Sequence, residues 1–219
     1  MENIEKLKLF NELLTEQNKV VNLTGHKDPE KSWHYNIQDS LLFNGIIAKL
    51  TEPGWRVLDI GSGGGCPAIP LKLTVMAQAD VFMLDSVGKK VRFLNNAVQN
   101  LGLENVRAIH DRAEDYAKKA RESFDIVTAR AVAPLNTLLE YALPFLRVGG
   151  VFLAFKSSNP SEEIVQAQIA LEELGGVVES IERASLDNEI TRTLVVIRKV
   201  KATAPKYPRG RNLPRLEPL

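Results

Sequence analysis

Apolar residues in the first fifty positions recur at helical spacing, with Ile4, Leu7, Phe10 and Leu14 on one stripe. The run Val20-Val21-Asn22-Leu23-Thr24-Gly25 interrupts that period. A second helical pattern carries Ile37, Leu41, Leu42 and Ile46 and stops before Pro53-Gly54. From Trp55 onward the pattern becomes short apolar runs separated by amphipathic stretches, as in a parallel, doubly wound sheet. The runs cover 56–60, 81–85, 106–110, 124–129, 151–155, 177–183 and 193–200, which makes seven strands. Helices are expected over 87–101 (closed by Gly102), 112–121, 135–143, and from Ser161 to Gly175-Gly176. Ligands of such sheets sit beyond the carboxyl ends of the strands. The expected organisation is a helical cap over 1–52, a sheet domain over 53–200 and a basic tail over 201–219.

The first strand runs directly into Gly61-Ser62-Gly63-Gly64-Gly65-Cys66-Pro67, and Pro67 suits the first turn of a helix. Strand, glycine loop and helix start form a cradle in which backbone N–H groups approach a ligand closely. A dinucleotide fingerprint fits only as Gly63-x-Gly65-x-x-Ala68, a weak match. Asp59, two residues before the first glycine, argues against a bare pyrophosphate and for a cation or a hydroxyl donor. Asp85 ends the second strand, 24 positions after Gly61, where an acid accepts hydrogen bonds from ribose hydroxyls. That suits NAD or an adenosyl cofactor equally. Glu114 follows the third strand at the place of an adenine contact, with a helix-terminal acid as the plain alternative. Arg130 follows the fourth strand and is read as a site residue or half of a structural ion pair.

Composition narrows the class. The 219 residues are 44% hydrophobic and 25% charged, enough for one sizeable α/β core. Apolar runs of membrane-spanning length and a signal segment are both missing from the pattern, so a cytoplasmic protein is expected. One cysteine and three scattered histidines suggest neither a disulfide nor a metal site. The net charge is +1, but residues 198–219 carry seven cations against Glu217 alone, leaving the remainder acidic. Such asymmetry suits a polyanion partner or a solvated tail.

The pattern Asp59-x-Gly61-x-Gly63-x-Gly65 resembles motif I of Rossmann-like S-adenosylmethionine methyltransferases. The resemblance extends along the chain. Asn22-Leu23-Thr24, Asp39-Ser40-Leu41, Leu84-Asp85-Ser86, Gly88-Lys89-Lys90, Arg92-Phe93-Leu94, Arg112-Ala113-Glu114, Ala129-Arg130-Ala131 and Lys206-Tyr207-Pro208-Arg209 occur in the order of the RsmG (GidB) family. That family methylates guanine N7 in bacterial 16S rRNA. The resemblance implies a class I, seven-stranded, mostly parallel α/β sheet with helices on both faces. It further implies S-adenosylmethionine as donor, S-adenosylhomocysteine as product, and the decoding-region loop of small-subunit rRNA as acceptor. Carried over by residue, it assigns cofactor contacts to Gly61, Cys66, Ala113, Glu114 and Arg130. Asp59, Gly63, Gly65 and Asp85 join them by the wider methyltransferase pattern.

Guanine N7 has a free lone pair, so transfer needs no general base and no catalytic acid–base residue is assigned. Candidate phosphate contacts are Lys89, Lys90, Arg92, Lys156, Lys206, Arg209 and Arg211, with a solvated surface as the alternative for each. Tyr35-Asn36 stands where the family has a basic residue and histidine, Ala68 replaces a glycine, and Lys156-Ser157 replaces Lys-Gly. A monomer is favoured. Rival readings are methylation of another RNA, a ribosome-binding module that keeps only the fold, and an NAD-dependent oxidoreductase.

Overall fold

The structure is a computed structural model that describes residues 2–157, 159–187 and 190–219. Seven strands form one sheet: β1 Arg56–Ile60, β2 Asp80–Asp85, β3 Val106–His110, β4 Phe124–Arg130, β5 Leu146–Lys156, β6 Gly176–Leu186 and β7 Ile190–Lys199. Their order is β3-β2-β1-β4-β5-β7-β6. The first five run parallel, and β7 is antiparallel to both β5 and β6. The chain reverses direction across the sheet at β1/β4, so the loops after these two strands open a crevice at their carboxyl ends. Val57, Leu58, Ile126, Val127, Phe152 and Leu153 are essentially inaccessible, as a sheet covered on both faces demands.

One apolar cluster lies on each face. The first joins Leu7, Phe10 and Leu14 of the N-terminal helix Glu2–Asn18 to Ile37, Ile47, Ile69, Leu94 and the sheet residues Val57, Val81 and Ile126. The N-terminal residues therefore share their core with the sheet. The second cluster packs Leu135, Leu138, Leu139 and Ala142 of helix Leu135–Ala142 and Leu171 and Leu174 of helix Gln168–Leu174 on Leu58, Val127 and Phe152.

Four expected elements differ in architecture, while β6 runs on to Leu186 and β7 begins at Ile190, each three residues beyond the expected bound. β5 begins at Leu146, five residues early, because Gly149-Gly150 is a bulge within the strand and not its start. A side chain on Gly150 would stand 2.9 Å from the Asp125 carbonyl. The helix expected over 112–121 is a single turn, Ala113–Tyr116. Arg121 turns away to donate to the carbonyls of Thr203, Ala204 and Tyr207. Ala167 divides the helix after Ser161 into Ser161–Gln166 and Gln168–Leu174. The second N-terminal helix is broken into Pro29–Ser32, a π-helical segment Trp33–Gln38, Asp39–Leu41 and Asn44–Lys49. A π-helical turn rotates the side chains that follow it, and here it precedes Asp39.

The basic tail is folded against the body. Arg209 donates from Nε and Nη2 to both oxygens of the fully buried Glu140 (2.6 Å at the shortest). Lys206 lies 3.4 Å from Glu173, Arg198 pairs with Glu179, and the buried Lys199 amine bonds to Glu122 and the carbonyls of Leu143 and Leu146. Much of the C-terminal positive charge is thus neutralised by the body that was read as its acidic counterpart. Among the described residues no helix is long and apolar enough to cross a membrane.

Candidate active site

The glycine loop is pinned from the end of β2. Gly61 and Ser62 N–H donate to the Leu84 carbonyl at the end of β2 (2.8 and 3.1 Å). The Asp85 carboxylate accepts from Gly63 N–H (2.9 Å) and from Val87 N–H (2.8 Å), holding the loop and the next helix start together. Gly61 adopts φ +69°, and a Cβ there would meet Val132 Cγ2 at 2.8 Å. No residue but glycine fits, because both the backbone and the facing wall forbid a side chain.

Two cavities adjoin at this loop, with Gly61, Lys90 and Ala131 in the walls of both. The smaller, about 320 Å³, is bounded by Asp85, Asp111, Ala113, Glu114, Val132 and Tyr141. Glu114 is buried and accepts from Arg112 (2.9 Å). The larger, about 460 Å³, lies between the sheet and the N-terminal helices and includes Asp39, Gly63, Cys66, Arg130, Lys156 and Arg192 in its wall. Ala131, at the junction, has φ +55°, a left-handed conformation that a side chain adopts at some cost.

Asp39 accepts from Arg130 Nη1 (3.0 Å) and also from Arg192 Nε, so two cations from β4 and β7 converge on one buried carboxylate of the N-terminal region. Arg130 also donates to the Tyr35 carbonyl (3.3 Å). His26 stacks on Tyr35 with ring centroids 4.5 Å apart. Thr24 donates to Asn36, and Asn18 ties down the loop before it by accepting from Leu23 and Thr24 N–H.

The sequence-predicted residues fall into four groups. Asp85, Ala113 and Glu114 line the smaller cavity; Gly63, Cys66 and Arg130 line the larger; Gly61 lines both. Asp59 lines neither. It lies beneath the loop, 1% exposed, with Oδ1 accepting from Thr128 (2.6 Å) and Oδ2 bonded to none of the described residues. Burial pushes its pKa from the usual 3.8 up to about 6, against the Thr128 hydroxyl and Arg130, which hold it down. Gly65 sits against Ile69, Leu94 and Phe10, where it lets the loop close onto the core. Cys66 is kept protonated by burial, which raises its pKa to about 11, so the thiol is a wall and not a nucleophile.

Among the expected phosphate contacts, Lys89 and Arg92 are exposed, as is Arg211. Lys90 sits instead at the junction of the cavities. Two of these cations are paired within the chain: Arg209 with Glu140, and Lys156 with Glu163 and the Ala133 carbonyl inside the larger cavity. Lys206 is exposed but paired with Glu173. Sequence reasoning missed Arg192, Tyr141, Asn212 and Arg215 as cavity residues.

Residues 3–194 match the family described as rRNA small subunit methyltransferase G (GidB). Proteins named ribosomal RNA small subunit methyltransferase G are similar over nearly full length. That of Desulfitobacterium hafniense is 39% identical, covering 100% of this chain and 90% of that protein; that of Lachnoclostridium phytofermentans is 40% identical, covering 99% and 89%. The chain belongs to this family. The family is one of S-adenosylmethionine-dependent methyltransferases, and the chain is an enzyme of that kind. In fold it is similar to an rRNA methylase from Streptococcus thermophilus (TM-score 0.55, 19% identity, covering 72% of this chain and 94% of that one). It is likewise similar to TYW2 of M. jannaschii, determined in complex with AdoMet (TM-score 0.56, 16% identity, 74% and 77%).

The residues present fit that cofactor. In the smaller cavity Asp85 suits ribose hydroxyls, and Asp59 Oδ2, bonded to none of the described residues, leaves a buried acceptor beneath the loop. When bound, S-adenosylmethionine supplies a methyl group already activated by its sulfonium. Asp85 and Glu114 would hold the nucleoside, while Gly61, Gly63 and Asp59 would present acceptors and a close backbone to the amino-acid end.

Proposed function

We propose that the enzyme methylates N7 of a guanine in the decoding-region loop of 16S rRNA, as naked RNA or within the small subunit. The observation that carries this reading is a nucleoside-sized cavity, lined by Asp85, Asp111 and Glu114 together with Lys90, Arg112 and Arg215, joined to a second cavity whose carboxylates are held in ion pairs. There Asp39 is bound by Arg130 and Arg192, and Glu163 by Lys156. Both carboxylates that line it are engaged in ion pairs, and N7, with its in-plane lone pair, has no proton to give. Catalysis is then alignment: Arg130, Ala131 and the glycine loop fix the line between the cavities, an effect worth several kcal/mol. The family membership supports the rRNA substrate.

N7 is out of reach in the deep groove of paired RNA, so the guanine enters unpaired or turned out. The His26–Tyr35 stack at the larger cavity offers it a flat face. Burial and Lys31 lower the His26 pKa from its usual 6.5, which makes the ring a weaker base. We read it as a stacking surface and not a proton acceptor. His26→Phe therefore keeps the single-turnover transfer rate within about threefold, whereas a general base contributes about a hundredfold or more. Transfer of labelled methyl to small subunits from a strain lacking the enzyme, followed by cleavage at 7-methylguanosine, tests the whole reading. Label on any other atom of the RNA contradicts it.

A further inference from the structure

The C-terminal segment does more than cover the second core. After Tyr207 and the Arg209–Glu140 pair it doubles back along helix Leu135–Ala142, where Thr137 donates to the Pro214 carbonyl (3.0 Å). That path delivers the helical turn Leu213–Leu216 to the rim of the smaller cavity. Asn212, in a left-handed conformation (φ +61°), accepts from Arg112 (3.4 Å), the residue that also donates to Glu114. Arg215 donates from Nη2 to the Val132 carbonyl (3.1 Å), and its charge acts on Tyr141. Asn212 and Arg215 are wall residues of the same cavity as Asp85 and Glu114, although about a hundred positions separate them from the nearest of these.

We propose that residues 212–216 form a built-in lid over the nucleoside end of the cofactor cavity, with Asn212 and Arg215 as purine-positioning residues. The inference rests on the cofactor reading of that cavity. Its chemistry is complementary to the rest of the wall. Asp85, Asp111 and Glu114 supply acceptors, whereas the segment brings an amide and the flat guanidinium of Arg215. An arginine plane packs readily on an aromatic face, and an amide can both donate to and accept from a purine edge. Anchoring at Arg209 and Thr137 removes most of the entropy of ordering so short a strap before the ligand arrives. The tail cations thereby divide: Arg209 fastens the strap, and Arg215 uses it.

The test compares the wild-type chain, Arg215→Ala and a chain ending at Gly210, each titrated with S-adenosylhomocysteine and with adenosine. Arg215 is exposed apart from its bond to Val132, so its replacement leaves the apo melting temperature within a degree or two of wild type. The lid predicts that both ligands weaken by the same factor, about tenfold for Arg215→Ala and more for the shortened chain. Equal loss for adenosine locates the effect at the nucleoside. Affinities within twofold of wild type in Arg215→Ala overturn the proposal, as does a loss of rRNA affinity with cofactor binding unchanged. A wild-type chain that binds neither ligand would instead remove the cofactor reading beneath it.

Discussion

The two cavities meet at Gly61, Lys90 and Ala131, yet they are assembled in opposite ways. Most of the nucleoside cavity comes from short contiguous motifs at the ends of β1, β2 and β3. The larger cavity is closed by Asp39, Arg130 and Arg192, which span 153 positions and meet only because Asp39 of the N-terminal region reaches both β4 and β7, two strands separated by β5. The first can be checked residue by residue against a local pattern. The second is an ion-pair network, and each member is meaningless without the other two. Cofactor binding and acceptor alignment should therefore fail separately when each region is damaged.

The largest separation is expected from Asp85→Ala. It removes the carboxylate that holds Gly63 and Val87 N–H and, on the proposed reading, the acceptor for ribose hydroxyls. Losing charge-assisted hydrogen bonds worth roughly 2–3 kcal/mol should weaken S-adenosylhomocysteine binding about a hundredfold by calorimetry. Retained affinity would mean that the nucleoside lies elsewhere. Asp39→Ala probes the other side. It leaves Arg130 and Arg192 without their counter-charge and should cost about 2 kcal/mol of stability, less than for a fully buried pair because both guanidinia reach the cavity. Methyl transfer should fall about tenfold or more while cofactor affinity changes less than threefold, since the loss is one of alignment. Equal losses in both would erase the distinction.

Asp59 sharpens the comparison by pH. Its native pKa of about 6 lies above the usual 3.8, so in the apo chain its contribution to stability is present below about pH 4 and is lost as pH rises to 6. A cationic ligand favours the ionised form, so S-adenosylmethionine affinity should drop several-fold between pH 7 and 5, with proton uptake on dissociation. Asp59→Asn should flatten that profile. A wild-type affinity flat across this range would show that Asp59 does not sense the ligand. The smallest effect belongs to Lys89→Ala and Arg92→Ala, exposed on helix Gly88–Asn100. Each should weaken rRNA binding a few-fold and lower the salt slope by about one, with cofactor affinity unchanged.

This contrast also explains what was legible in the sequence. β1 was readable to the residue because a buried strand leaves an apolar run, whereas β3, a half-exposed edge strand, was delimited by the polar segments on either side. The glycine loop was readable because backbone conformation and close approach restrict it to glycine at Gly61. Gly149-Gly150 misled, since the same residue type also marks a bulge. The tail misled for an electrostatic reason: counting charge along the chain cannot reveal that Glu140 waits in the core for Arg209. Arg192 and Arg215 reach their cavities by tertiary placement alone, and no local pattern encodes that.

A crystal structure with S-adenosylhomocysteine bound tests the central claim most directly. The account predicts ribose hydroxyls on Asp85, the purine between Glu114 and Arg215, and the amino-acid end turned past Gly61 toward Asp59. A ligand seated against Arg130 and Arg192 with the Asp85 cavity empty would contradict it.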